Sequence, residues 1–213
     1  MVQPGMVYIS HPTECGTLYT RKELENIYLV CKEFDIPLFI DGARLGYGLS
    51  AKSTDVKKED VAKLCDMFYI GGTKLGALFG EALVIVNDKY KKDFRYMIKR
   101  HGGMLAKGRL LGIQFEALFS DNLYEKGADN AIEKAYVIRD FLKNKGFEFL
   151  FESDTNQQFP VFEKSELDKL SSKYVFCPWT KVSDTQYAVR ICTSWATKQE
   201  DVEKLLNDLD KIR

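Results

Sequence analysis

Apolar residues recur along this chain with two different periods. Short continuous runs at Val7 to Ile9, Leu38-Phe39-Ile40, Met67 to Ile70 and Ala82 to Val86 have the length and composition of buried strands. Between the first two runs, Leu24, Ile27, Tyr28, Cys31 and Phe34 return at helical spacing. Thr20 and Glu23 stand in front of them with the spacing of a capping box. Asp55 to Cys65 predicts a second helix, with Val61, Leu64 and Cys65 turned inward. A strand, a helix and a strand in this order predict a parallel sheet with crossover helices. The link from Gly71 to Glu81 is too short for such a crossover, so Ala82 to Val86 is predicted to run antiparallel to the strand before it.

The second half has a different rhythm. Asn87 or Asp88 is placed to cap a helix toward Arg100, stopped by Gly102-Gly103. Two helices are predicted next, about Leu105 to Leu123 and Asp129 to Lys145. In the first, Leu110, Ile113 and Leu118 cover more than one face, which suits a helix lying between layers or against another subunit. Strands are predicted at Phe147 to Phe151, Phe159 to Phe162, Val175 to Cys177 and Ala188 to Cys192, with a short helix over Glu166 to Ser172. Thr197 and Glu200 have a second capping-box spacing before a last helix ending at Ile212. The fold class is therefore α/β. A mostly parallel sheet occupies residues 1–102, and linking helices with a smaller α+β domain occupy residues 103–213.

Composition narrows the functional classes. Lys+Arg and Asp+Glu both number 31, which gives no bias toward nucleic acid or an anionic membrane. No apolar run approaches the roughly 20 residues that span a bilayer. The N-terminal residues lack a basic stretch followed by an apolar one, so no signal peptide is read and a cytoplasmic location is expected. The five cysteines are scattered, with no C-x-x-C pair, and most read as small core hydrophobes of a reducing compartment. His11 and His101 are isolated, so no metal site is expected.

The chemistry gathers at strand ends. Tyr69-Ile70-Gly71-Gly72-Thr73-Lys74-Leu75-Gly76 places one lysine in a glycine-rich loop between two predicted strands. An amine held there is a candidate Schiff-base nucleophile; taken alone, it also fits a solvated loop lysine. Asp41 ends another apolar run, in Asp41-Gly42-Ala43-Arg44. Ligands of open α/β sheets bind at the carboxyl ends of strands, although a strand-end aspartate also serves simply to cap a turn. A carboxylate and a lysine sharing one sheet edge fit pyridoxal 5′-phosphate. The lysine takes the aldehyde, and the carboxylate keeps the pyridine nitrogen protonated. Thr73 and nearby loop amides suit the phosphate. Arg44 suits the ring or a carboxylate. Arg190 is the candidate for a substrate α-carboxylate, with an exposed strand arginine as the alternative.

Four segments together resemble one family. They are Pro12-Thr13-Glu14-Cys15-Gly16-Thr17-Leu18-Tyr19, Asp41-Gly42-Ala43-Arg44, Thr73-Lys74-Leu75-Gly76-Ala77 and Val189-Arg190-Ile191-Cys192-Thr193-Ser194-Trp195. They stand in the order seen in the threonine aldolase / aromatic amino-acid β-eliminating lyase family of fold-type-I pyridoxal-phosphate enzymes. The resemblance implies that Lys74 is the Schiff-base lysine and Asp41 the partner of the pyridine nitrogen. It also implies that Arg44 and Arg190 surround the cofactor and the substrate carboxylate. It implies a lyase acting on a small amino acid, by aldol-type cleavage of a β-hydroxy amino acid to glycine and an aldehyde, or by β-elimination. It implies a homodimer or homotetramer. The chain resembles the family from partway through its large domain, so an N-terminal segment with the first strands and the phosphate-binding turn is expected to be missing. Many threonine aldolases have a histidine in the loop matching Ser10 to Gly16; Thr13 stands nearest to that position here, and His11 lies two residues earlier. The alternatives are another fold-type-I enzyme such as an aminotransferase, and a non-catalytic remnant acting as an oligomerisation module.

Overall fold

The computed structural model describes residues 2–212. Three strands, β1 (Val7–Ser10), β2 (Leu38–Asp41) and β3 (Met67–Gly71), lie parallel in that order. The fourth, β4 (Glu81–Ile85), runs antiparallel to β3, pairing Met67 with Ile85 and Gly71 with Glu81. Parallel pairing needs crossovers. α1 (Arg21–Glu33) joins β1 to β2; α2 (Leu45–Ser50) and α3 (Lys58–Lys63) join β2 to β3. The Thr20 hydroxyl caps α1 and Glu23 reaches back to the Thr20 amide, completing the capping box. Leu24 and Cys31 of α1 pack with Leu38, Ile40, Val61 and Phe68 in a buried core on one face of the sheet.

Asp66 locks the lower edge of this sheet. Its carboxylate is 1% exposed and accepts from Lys32 Nζ and Asn87 Nδ2, both at 2.7 Å, and from the Leu38 amide at 3.0 Å. Burial alone pushes its carboxyl up, but Asn87, Lys32 and the Leu38 amide outweigh burial and hold it below the ordinary range. Asp66→Asn keeps the shape but turns a donor toward other donors. It is expected to lower the unfolding free energy by roughly 2 kcal/mol in urea titrations, because bonds to a buried charge are worth about that much.

After β4 the chain departs from the sequence expectation in several places. The helix expected to begin at Asn87 or Asp88 is only a 3-10 turn, Asp88–Tyr90. Asp93 then adopts a left-handed φ of 57°, and α4 is confined to Phe94–Arg100. The next two helices divide elsewhere. α5 spans Arg109–Phe119, and left-handed Asp121 and Asn122 end that stretch, so that α6 starts at Leu123 and runs to Asn144. α5 buries none of its residues, and Leu110 and Ile113 are about half exposed.

α6 belongs to two cores. Ala128, Ala131, Ile132 and Ala135 pack with Tyr47, Leu75 and Tyr124 beside the first sheet. Ile138 and Leu142 pack with Phe147, Phe162, Val189 and Leu209 beside the second. In that second sheet β8 (Gln186–Cys192) is the common partner of β5 (Gln157–Gln158), β6 (Val161–Glu163) and β7 (Cys177–Lys181), all antiparallel. α7 (Lys164–Leu170) follows β6, and α8 (Gln199–Asp210) closes the core with Val202 and Leu209. Phe147 to Phe151 form no strand; Phe149 makes one isolated bridge to Pro160, which has no amide hydrogen to extend the ladder. Nor does Thr197 cap α8, since its hydroxyl accepts from the Ser194 amide at 2.8 Å. Among the described residues, no helix is long and apolar enough to cross a membrane.

Candidate active site

The carboxyl ends of β2 and β3 carry the residues with most chemical potential. Asp41 is the last residue of β2 and is half-buried. Its Oδ2 accepts from the Tyr8 hydroxyl at 2.5 Å and its Oδ1 from the Ala43 amide at 2.9 Å. Burial pushes the Asp41 carboxyl up, yet hydrogen bonds from Tyr69, Tyr8 and Ala43 and the charge of Lys74 together hold it below the ordinary carboxylate range. Asp41 is therefore an anion at neutral pH. The same bonds raise the Tyr8 hydroxyl, chiefly through Asp41, while the Tyr69 hydroxyl is raised by burial and then by Asp41. The Tyr8 phenol remains a donor to Asp41.

Lys74 lies just past β3, in the short 3-10 turn Thr73–Leu75. The turn is anchored from below. Leu75 is 2% exposed in the core with Tyr47 and Tyr124, and the Tyr47 hydroxyl donates to the Lys74 carbonyl. The Gly46 amide donates to the Tyr124 hydroxyl at 3.1 Å, which ties α2 to α6. The apolar pattern predicts no helix at α2, where Gly46 and Gly48 are poor helix formers. They serve close packing instead: a Cβ on Gly46 would lie 2.6 Å from Leu75 Cδ1, and one on Gly48 would lie 2.8 Å from Pro12 Cδ.

Lys74 lines a cavity of about 300 Å³ with Arg44, Tyr47, Thr73, Arg190 and Trp195. The cavity wall continues through Asn156, Gln157 and Cys192 to Ser194 from the second sheet and its following loop. So Lys74, Arg44, Thr73 and Arg190 face one hollow. Asp41 does not line it, but sits near enough for the charge of Lys74 to help keep it ionised. Among the described residues, the Lys74 amine has no side-chain ion pair. The Thr73 hydroxyl is 3.5 Å from Glu81 Oε1, and the Gly72 amide donates to Glu81 Oε2 at 2.7 Å. A carboxylate thus already takes one of the loop amides that the sequence suggests for phosphate.

The two arginines meet on a residue to which the sequence assigned no role. Glu14 Oε1 accepts from Arg190 Nη1 at 3.2 Å and pairs with Arg44 Nη2 at 3.6 Å. Arg190 also reaches Gln157 Oε1 at 3.5 Å and lies 5.4 Å over the Trp179 ring. Its Nε is buried without a partner, and so is Asn156 Oδ1. Glu14 is separated from Arg190 by nearly the whole chain. Its only sequence signal is its place in the Pro12 to Tyr19 segment.

The model of the family described as Beta-eliminating lyase matches residues 2–200. A solved threonine aldolase structure from Leishmania major superposes with a TM-score of 0.96 at 42% identity, covering 100% of this chain and 62% of that one. A low specificity L-threonine aldolase of Pseudomonas sp. is 28% identical over 99% of this chain and 60% of its own length. More distantly, the fold is shared with a Thermus thermophilus aspartate aminotransferase, with a TM-score of 0.67 at 16% identity over 97% of this chain and 56% of that one. The chain thus spans about three-fifths of the length of the threonine aldolases it matches. With a match running through both sheets and every segment that lines the cavity, the chain belongs to the beta-eliminating lyase family.

Proposed function

We propose that this chain carries the lysine, carboxylate and arginine side of a pyridoxal 5′-phosphate site in an amino-acid lyase. The single observation behind this reading is an amine and an ionised carboxylate at the carboxyl ends of adjacent parallel strands, with Arg190 facing the same cavity as the amine. The donor set fits the group. Asp41 is held as an anion and keeps acceptor capacity beyond its bonds from Tyr8 and Ala43. Unmet polar atoms on Asn156 and Arg190, both cavity residues, await a ligand. Asp41, Arg44, Thr73 and Lys74 would hold the cofactor. When bound, that group supplies an electron-withdrawing ring able to accept negative charge from an amino acid's Cα.

The chain's own residues divide the remaining work. Lys74 would hold the cofactor through its amine, and its Nζ is the group placed to carry a proton. Asp41, held as an anion with a hydrogen bond from Tyr8, would favour a positive charge at the ring nitrogen. Arg190 and Arg44 take the substrate carboxylate, for which a guanidinium gives paired donors. The favoured reaction is aldol-type cleavage of a β-hydroxy amino acid such as threonine to glycine and an aldehyde, since the relatives at 42% and 28% identity are threonine aldolases. β-Elimination is the second reading, favoured by the family description. In this reading residues 1–102 are part of the cofactor-binding domain, and residues 103–213 are linking helices and a small domain. The half-exposed apolar residues of α5 and the free thiols of Cys31 and Cys65 suit a cytoplasmic homodimer or homotetramer.

The test is chemical trapping. Borohydride added to the chain with pyridoxal phosphate is expected to leave the cofactor covalently on the peptide containing Lys74, read by mass spectrometry, and to leave nothing in Lys74→Ala. Attachment to other lysines alone would end the reading. Product analysis with L-threonine then separates the reactions: acetaldehyde and glycine for aldol cleavage, a 2-oxo acid and ammonia for elimination, and a 2-oxo acid with aminated cofactor for transamination.

A further inference from the structure

Glu14 is placed where an incoming carboxylate would go, and its own position is well determined. Its carbonyl accepts from Gln157 Nε2 at 2.7 Å, which fastens the loop to β5. On either side of it, the Thr17 amide donates to Thr13 Oγ1 at 3.1 Å and the Gly16 amide to the Thr13 carbonyl at 3.0 Å. The side chain is 57% exposed and does not itself line the cavity; one of its oxygens is shared between Arg44 and Arg190, which do. Arg190 does not depend on Glu14 for its position, because Gln157, Cys177 and the Trp179 ring also hold the guanidinium.

The charges then count simply. Arg44 and Arg190 bring two positive charges to the cavity, and Glu14 cancels one of them. Lys74 is the third cation of the cavity, and the cofactor would take its amine; of the arginine pair one uncompensated charge then remains, the complement of a single carboxylate. Given the site reading proposed above, on which this rests, we infer that Glu14 sets substrate specificity: it reserves the arginine pair for one α-carboxylate and excludes amino acids with an acidic side chain. A second substrate carboxylate near the pair meets the Glu14 carboxylate at close range, a like-charge contact that solvent around this exposed side chain screens only in part. Neutral side chains, hydroxyl-bearing ones included, meet no such penalty.

The probes are L-asparagine and L-aspartate, nearly the same shape and different by one charge. Binding to the purified chain is followed by NMR shift titration at neutral pH and low salt. The wild-type chain is expected to prefer L-asparagine. Glu14→Gln is expected to move the ratio of the two dissociation constants toward L-aspartate by roughly threefold, a size typical of one solvent-exposed charge pair. Glu14→Asp, which keeps the charge, should stay near the wild-type ratio. Arg190→Ala is the control for the site and should lose binding of both. If Glu14→Gln leaves the ratio unchanged while Arg190→Ala abolishes binding, the specificity role is wrong and the arginine site stands. If Arg190→Ala binds both probes as the wild type does, or if the wild type binds neither, the arginines are not a carboxylate site and both readings fall.

Discussion

Gly42→Ala is expected to cost the fold roughly 3 kcal/mol or more in urea unfolding and to reduce cofactor trapping on Lys74 in whatever folded protein remains. A Cβ on Gly42 would lie 2.0 Å from the Tyr69 carbonyl oxygen and 3.2 Å from Leu45 Cβ. The facing position is as tight, since a Cβ on Gly71 would lie 2.3 Å from the Ala43 carbonyl oxygen. Both obstacles are backbone, so no rotamer change relieves them. Between them the Gly71 amide donates to the Gly42 carbonyl at 2.9 Å. This bond joins the end of β2 to the end of β3, directly behind Asp41 and just ahead of Lys74. Any methyl group forced into the gap must widen the space between the two strand ends, and so between the carboxylate and the amine. Gly5→Ala is the matched control, with nothing within 4 Å of its Cβ, and should stay within about 0.5 kcal/mol of wild type. A Gly42→Ala chain as stable as the control would show that these ends are not in contact in solution.

This closeness explains what could be read in advance and what could not. Asp41 and Lys74 were legible at strand ends because the apolar runs before them have strand length and the connections between those runs are long enough to hold a crossover helix. β4 was legible as antiparallel for the opposite reason, a short link. The starts of α4 and α6 were not legible. They are set by left-handed Asp93, Asp121 and Asn122, and that conformation carries no mark in the hydrophobic pattern. α2 was hidden because Gly46 and Gly48 are poor helix formers, and only the bulk of Leu75, Tyr124 and Pro12 packed against them explains their use. Glu14 stands in the Pro12 to Tyr19 segment, where the sequence alone gives it no role. Its partners are Arg44 at the start of α2 and Arg190 in β8, and an ion pair across that distance in sequence follows from packing alone.

Stability is expected to fall by about 3 kcal/mol between pH 6.5 and pH 4 because of one side chain, His11. His11 is fully buried beside Tyr19, and burial drops its pKa from 6.5 to about 4, a fall only partly offset by the charge of Asp55. Its Nδ1 accepts from the Tyr19 amide at 3.4 Å, so the neutral ring carries its hydrogen on Nε2, which has no partner. The folded chain therefore keeps His11 neutral, while the unfolded chain protonates it below about pH 6.5. Each pH unit in that interval favours the unfolded state by about 1.4 kcal/mol, until the folded pKa is reached and the loss levels off. The carboxylates held below their ordinary values, Asp41 and Asp66 among them, act in the same direction but only as the pH falls below their unfolded values near 4. Glu23, Glu25 and Glu125, also held below their ordinary value of 4.5, act likewise, so the interval from pH 6.5 to about 5.5 isolates the histidine. Urea midpoints should decline steadily across it for the wild type and stay nearly flat for His11→Asn, whatever that variant loses at pH 7. Equal slopes for the two proteins would mean that His11 is solvated in the native state. That result would also loosen the loop from Pro12 to Tyr19, because the His11 amide bonded to the Asp41 carbonyl at 2.9 Å begins the turn that delivers Glu14 to the arginines.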